Sequence, residues 1–499
     1  MTTQSSKLVT TGTEGLDIVL SGGLPARRLY LFQGDPGVGK TTMALRYLIS
    51  GAERGESCLY VTLSETREEL EAVAESHGWT LKGVHVYEMS AADGAASEIE
   101  ENTLYVPAEV ELGERVVALL QEVDRVSPTR VVLDSCSELR LLAQNPLRFR
   151  RQLLALKEEL VRRNCTILLL ENPISAGGDP LLQSLVHGVV VMEQLAPLYG
   201  AERRRLRVVK MREVAFRGGY HDMVIRKGGV VVYPRLVAAD HHEEFQTEPV
   251  KSGVKELDTL LGGGLERGTS VLLAGPTGSG KSTIALQYTV AAAKRGESVA
   301  YFTFDEGLAT LQGRANNLNL ALDEHVKAGR VSLQQIDPAE LSPGEFVHVV
   351  RAAVENRDVK LVIIDSLNGY MQAMPEERYL EAQLHEQLSY LRQRGVLTLL
   401  LMAQHGFLGS IEGPLDVSYL ADTVLVTRYF EAAGRVRKAL SVLKKRSGKH
   451  EDTIREFTVT SQGLLVGKPL SNFRGVLTGV PEYESRETGL LLEKAGAES

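Results

Sequence analysis

The chain has 499 residues, 43% hydrophobic and 24% charged, with a formal net charge of −8. That length accommodates two domains with separate cores, and the acidic balance argues against a broad nucleic-acid footprint, which needs many cations to neutralise phosphates. No apolar run approaches the roughly 20 residues of a membrane span and no charged-then-apolar leader opens the chain, so a soluble, cytoplasmic protein is expected.

In chain order, the first strong signal is a buried strand, "RLYLFQ" (28–33), running into "GDPGVGKTT" (34–42) and then the helical pattern "TTMALRYLISGAERG". Strand, glycine-rich loop and helix is the setting of a phosphate-binding P-loop, G-x-x-x-x-G-K-[ST]. The loop residues Gly34, Asp35, Pro36, Gly37, Val38 and Gly39, with Thr42 behind them, curl so that backbone N–H groups face an anion at a helix N-terminus. Lys40 reaches the β- and γ-phosphates of ATP, and Thr41 offers a hydroxyl to Mg²⁺. Next comes "YVTLSET" (60–66), a strand that ends in Glu65, a candidate base for the attacking oxygen. "RVVLDS" (130–135) is an apolar strand ending in Asp134, expected beside the loop as a second support for Mg²⁺. "RRRLR" (203–207) reads as a solvated strand edge. Cys58, Cys136 and Cys165 have no metal-ligand spacing and read as small buried hydrophobes.

The pattern then begins again. "SVLLA" (270–274) precedes "GPTGSGKST" (275–283), with Gly275, Pro276, Thr277, Gly278, Ser279 and Gly280 in the loop, Lys281 and Ser282 at the phosphate and metal positions, and Thr283 behind. "YFTFDEG" (301–307) ends in two acids, Asp305 and Glu306, where the first copy has Ser64 and Glu65. "LVIIDS" (361–366) ends in Asp365, a second metal-supporting acid. Gly12–Glu65 aligns with Gly253–Glu306 at a fixed offset of 241, with 24 identities in 54 positions, and "KMR" (210–212) recurs as "KKR" (444–446). A tandem duplication follows: a first domain over 1–236, a linker over 237–252, a second domain over 253–482 and a tail over 483–499. The fold class is α/β, each half a mostly parallel sheet flanked by helices.

These motifs together resemble the KaiC family, over about Leu8 to Pro481. The resemblance implies two tandem RecA-like P-loop NTPase domains, a double-ringed homohexamer with ATP and Mg²⁺ between neighbouring subunits, hydrolysis mainly in the first ring, and serine/threonine autokinase activity in the second. It assigns Lys210 and Arg212, and Lys444 and Arg446, to a reach across to a neighbour's γ-phosphate. In "DVSYLADTVLV" (416–426) it puts Ser418 at the serine phosphoacceptor position and Tyr419 where a threonine belongs. A phenol oxygen lies several ångströms farther from the backbone, so Ser418 is the first candidate acceptor; Tyr419 is a second candidate acceptor, or a structural residue at a subunit interface. The reading is an ATPase and autokinase acting as a regulatory switch on a signalling partner that the sequence does not name. Two other readings stand beside it. One is a DNA-dependent motor, which DNA-stimulated, salt-sensitive hydrolysis would reveal. The other is a scaffold that binds ATP without turnover.

Overall fold

The computed structural model describes residues 7–89, 108–143, 145–172, 179–196, 200–372, 380–404, 419–432, 434–461, 463–476 and 482–483. The chain divides into two compact units, Met1–Arg235 and Leu236–Ser499. Each unit is built on one nine-stranded sheet.

In the first sheet the strands lie in the order Gly229–Tyr233, His221–Arg226, Arg203–Met211, Gly188–Leu195, Leu29–Gly34, Thr166–Glu171, Arg130–Asp134, Cys58–Thr62, Val84–Glu88. From Gly188–Leu195 onward they run parallel, and the first three add antiparallel strands at one side. The second sheet repeats the plan: Val331–Gln335, Ser298–Thr303, Val359–Asp365, Leu397–Ala403, Ser270–Gly275, Thr423–Ala432, Arg435–Lys445, Arg455–Thr460, Gly463–Pro469. Its strands through Thr423–Ala432 are parallel and the rest antiparallel. The two P-loop strands, Leu29–Gly34 and Ser270–Gly275, are buried at every position. That is why they read as unbroken apolar runs: helices cover both faces of a parallel sheet. Two core layers result in each unit. The P-loop helices Lys40–Ala52 and Lys281–Lys294 pack into one layer, and the helices Pro146–Arg162 and Leu380–Gln393 into the other.

Both sheets carry the same irregularity. Val189 pairs with Lys210 but Val190 with Val208, and Val424 pairs with Lys444 but Leu425 with Val442. One residue is left over in each, Val209 and Leu443, and each is exposed, at 45% and 43%. These are β-bulges immediately before the two Lys-x-Arg motifs.

Two expectations are corrected. "RRRLR" is not at a sheet edge: Arg203–Met211 is paired on both sides. Arg205 meets Glu193 at 2.9 Å and Arg204 meets Glu202 at 2.7 Å, while Arg205 lies 4.0 Å from the centre of the Tyr220 ring. The antiparallel extension beyond it was not visible in the local pattern. Nor is 237–252 a free connection. Ala238 joins the second unit's core, the turn Ala238–His241 sets His241 edge-on to Tyr390, and Glu243 pairs with Arg394.

Candidate functional site

Each P-loop is held open by glycines that no other residue replaces. Gly39 and Gly280 stand at the helix starts with φ of 105° and 104°, in the left-handed region that L side chains avoid. A Cβ at Gly39 would lie 2.8 Å from Ile225, and one at Gly280 would lie 2.9 Å from Phe457. Behind the loops, Val38 is core, Ser279 Oγ lies 2.6 Å from Thr427 Oγ1, and Thr42 and Thr283 are buried.

Lys40 and Lys281 are the first residues of their helices, and their side chains fold back into the loops. Lys40 Nζ donates to Gly34 O (2.6 Å) and Asp35 O (2.9 Å); Lys281 Nζ donates to Gly275 O and Pro276 O, both at 2.8 Å. Both are buried, and burial pulls both ammonium pKa values down, that of Lys281 to about 8. Asp134, Asp35 and Glu171 oppose this at Lys40, whereas Asp365 alone does so at Lys281. A buried cation whose hydrogen bonds go to neutral loop carbonyls at a helix N-terminus is matched by a polyphosphate.

The acid at the end of the strand one removed from each P-loop strand is oriented by a tyrosine. Tyr60 OH donates to Asp134 Oδ2 at 2.5 Å, and Tyr301 OH donates to Asp365 Oδ2 at 2.6 Å. Thr41 Oγ1 also donates to Asp134 Oδ2, at 3.2 Å; Ser282, at the matching place, is half-buried. Burial raises the Asp134 pKa, while the Tyr60 and Thr41 hydrogen bonds and Lys40 hold it down. In the first unit hydroxyl, acid and lysine thus converge at the carboxyl ends of two parallel strands with Thr166–Glu171 between them, a fit for a magnesium ion bound with nucleotide phosphates. The tyrosines were missed in the sequence, although a signal existed: Tyr60 and Tyr301 open the two repeated strand motifs.

The strand-end acids are not equivalent. Thr62 Oγ1 donates to Glu65 O at 2.7 Å and Thr303 Oγ1 to Glu306 O at 2.8 Å, so the two backbones match. Glu65 Oε2 is buried with no hydrogen-bond partner, and burial, then Asp134 and Glu69, raise its pKa. Glu306 is raised by burial, but Arg314 Nη2 sits 2.6 Å from its Oε2 and draws it down. Asp305 accepts a hydrogen bond from Ser366 Oγ, and a Cβ on Gly369 would meet its Oδ1 at 2.6 Å. It braces the loop after Asp365, so the two acids are held differently.

The Lys-x-Arg motifs also divide. Lys210 Nζ donates to Gln183 O and Val186 O, both at 2.8 Å, and Lys444 Nζ to Ala421 O at 3.0 Å, all within their own units. Arg212 is exposed, and Arg446 reaches Tyr419 O at 3.0 Å and Asp422 at 3.6 Å. The arginines, rather than the lysines, face outward. Tyr419 is 52% exposed; Ser418 lies outside the described residues.

The first unit holds one further polar group that the sequence reading passed over. Glu171, at the end of Thr166–Glu171, is buried against Arg140, which also lies 3.4 Å from Asp179. Burial pushes the Glu171 pKa up to about 7 despite Arg140. Its cross-strand partner is Gln33, whose Oε1 accepts from Gln183 Nε2 at 2.9 Å. The corresponding pair in the second unit is Ala274 and Met402.

Fold and site define a tandem P-loop NTPase of the RecA type. A family model described as "ATPase: KaiC" matches residues 9–237 and again 250–471, and the chain belongs to this family. It is 25% identical over 494 residues to the circadian clock protein KaiC3 of Synechocystis, covering 97% of each chain. It is 24% identical over 491 residues to the circadian clock oscillator protein KaiC of Thermostichus vulcanus, covering 96% of this chain and 93% of that one. It is 25% identical over 481 residues to the circadian clock oscillator protein KaiC of Prochlorococcus marinus, covering 95% of this chain and 93% of that one. Among the described residues no helix is long and apolar enough to cross a membrane.

Proposed function

We propose that both loops bind ATP with Mg²⁺ and hydrolyse it, and that the second domain also transfers a phosphoryl group to Ser418 of the protein itself. The observation that carries this reading is the repeated convergence of lysine, tyrosine-held aspartate and strand-end glutamate in both units, joined in the first by the Thr41 hydroxyl. Lys40 and Lys281 swing from loop carbonyls to the β- and γ-phosphates. Asp134 and Asp365, steadied by Tyr60 and Tyr301, would help to hold a magnesium ion, which when bound would supply positive charge against that developing on the phosphates. Glu65 and Glu306 orient the attacking oxygen and take its proton. Arg212 and Arg446 reach a neighbour's γ-phosphate in a homohexameric ring, so that assembly completes each site. The Tyr419 carbonyl anchors Arg446. The protein acts as a cytoplasmic switch read by a signalling partner.

Intact-protein mass spectrometry after incubation with Mg-ATP, with peptide mapping across 412–428, tests the reading. One added phosphate on Ser418, absent in Ser418→Ala, is expected. ADP accumulation without phosphoprotein would reduce the protein to a ring ATPase, and tight ATP binding without ADP would leave only a scaffold.

A further inference from the structure

The two candidate bases sit in the same backbone frame but meet different neighbours. Each precedes a helix, Arg67–Ser76 or Leu308–Asn317. The helices correspond position by position: Leu70 and Ala74 are buried in the first, Leu311 and Ala315 in the second. On that correspondence Arg314 occupies the place of Val73. Val73 packs half-buried on the first core and brings no charge, and the charges that act on Glu65 are those of Asp134 and Glu69, both anionic. Glu306 faces Asp365 on one side and the Arg314 guanidinium on the other, at 2.6 Å.

We propose that Arg314 is a positioning residue that restrains Glu306, holding one carboxylate oxygen on the following helix and making the second site the slower hydrolase. This rests on the reading of Glu306 as base. The chemistry is direct. A carboxylate paired with a guanidinium is a poorer proton acceptor, and Oε2 is turned toward the helix rather than the incoming oxygen. Both side chains are partly exposed, 33% and 22%, so the pair is weak and exchanges readily: it slows Glu306 without silencing it. A site that hydrolyses slowly keeps its ATP available for transfer to a protein hydroxyl. One substitution thereby separates the two sites' work.

The test uses the full chain carrying Glu65→Gln to silence the first site, with ADP release followed at saturating Mg-ATP across pH. Arg314→Val, the residue of the first unit, is expected to raise kcat roughly threefold. It should also move the acid limb of the profile to higher pH, because a lowering charge on Glu306 is gone. Arg314→Lys should restore most of the parent behaviour. An unchanged or reduced kcat in Arg314→Val, with the acid limb unmoved, overturns the restraint. Adding Glu306→Gln to Glu65→Gln separates the two claims. If hydrolysis persists there, the assignment of Glu306 as base fails. If it is lost while Arg314→Val changes nothing, only the restraint fails.

Discussion

Replacing Tyr60 with phenylalanine removes one oxygen and leaves the ring, and the site's dependence on it can be worked out. Tyr60 is completely buried and Asp134 only 8% exposed, so little water replaces the lost donor. A hydrogen bond to an ionised group is worth about 1.5–3 kcal/mol. Thr41 still donates to the same oxygen, which favours the lower end, or roughly tenfold in affinity for Mg-nucleotide. The proton adds a second effect. Burial already raises the Asp134 pKa and Tyr60 opposes it. Without the hydroxyl the value rises further, so protons compete better with the metal and the defect deepens as pH falls. The assay is titration of a fluorescent ATP analogue against Mg²⁺ at about pH 6 and about pH 8, in Lys281→Ala protein so that only the first site reports. Mg²⁺ dependence within about twofold of the parent at both pH values would refute the role given to Tyr60.

Lys40→Ala and Lys281→Ala should each remove one of two bound nucleotides per chain in equilibrium dialysis, and the double variant both. Gly280→Ala should cost on the order of 1–3 kcal/mol of stability, seen as a lower melting temperature, because the φ of 104° and the 2.9 Å approach to Phe457 both resist a methyl. Glu171 has its folded pKa raised to about 7 from 4.5. Its contribution to stability is therefore present in full below the unfolded value and is lost as pH rises through about 7. Glu171→Gln should flatten that decline, measured as the difference between urea midpoints at about pH 5 and about pH 8.

The duplication, the parallel sheets and the P-loops were legible because their signals are local: a glycine-rich loop, an apolar strand and a helix lie within some twenty residues. Asp134 was legible as a strand-end acid. Its orientation was not, since Tyr60 lies 74 residues away and only the sheet brings them together. The same holds for Asp305, adjacent to Glu306 in sequence but committed to Ser366, 61 residues on. Glu171 went unread although it too closes an apolar strand; its meaning came from Arg140 and Gln33 in space. "RRRLR" was misjudged for the opposite reason: its composition suits solvent, and only the pairing beyond it shows that its charges are answered.

The leftover residues Val209 and Leu443 carry a history as well as a shape. The same irregularity stands before Lys-x-Arg in both sheets, which is simplest if it existed before the ancestral gene doubled and both descendants kept it. It does not set the facing: Val190 opposes Val208 and Val189 opposes Lys210, so Lys210 lies on the face of Val189 and would stay there if Val209 were deleted. What the extra residue supplies is a local bend and a stronger twist. A one-residue insertion, fixed long ago, bends each strand just before its exposed arginine.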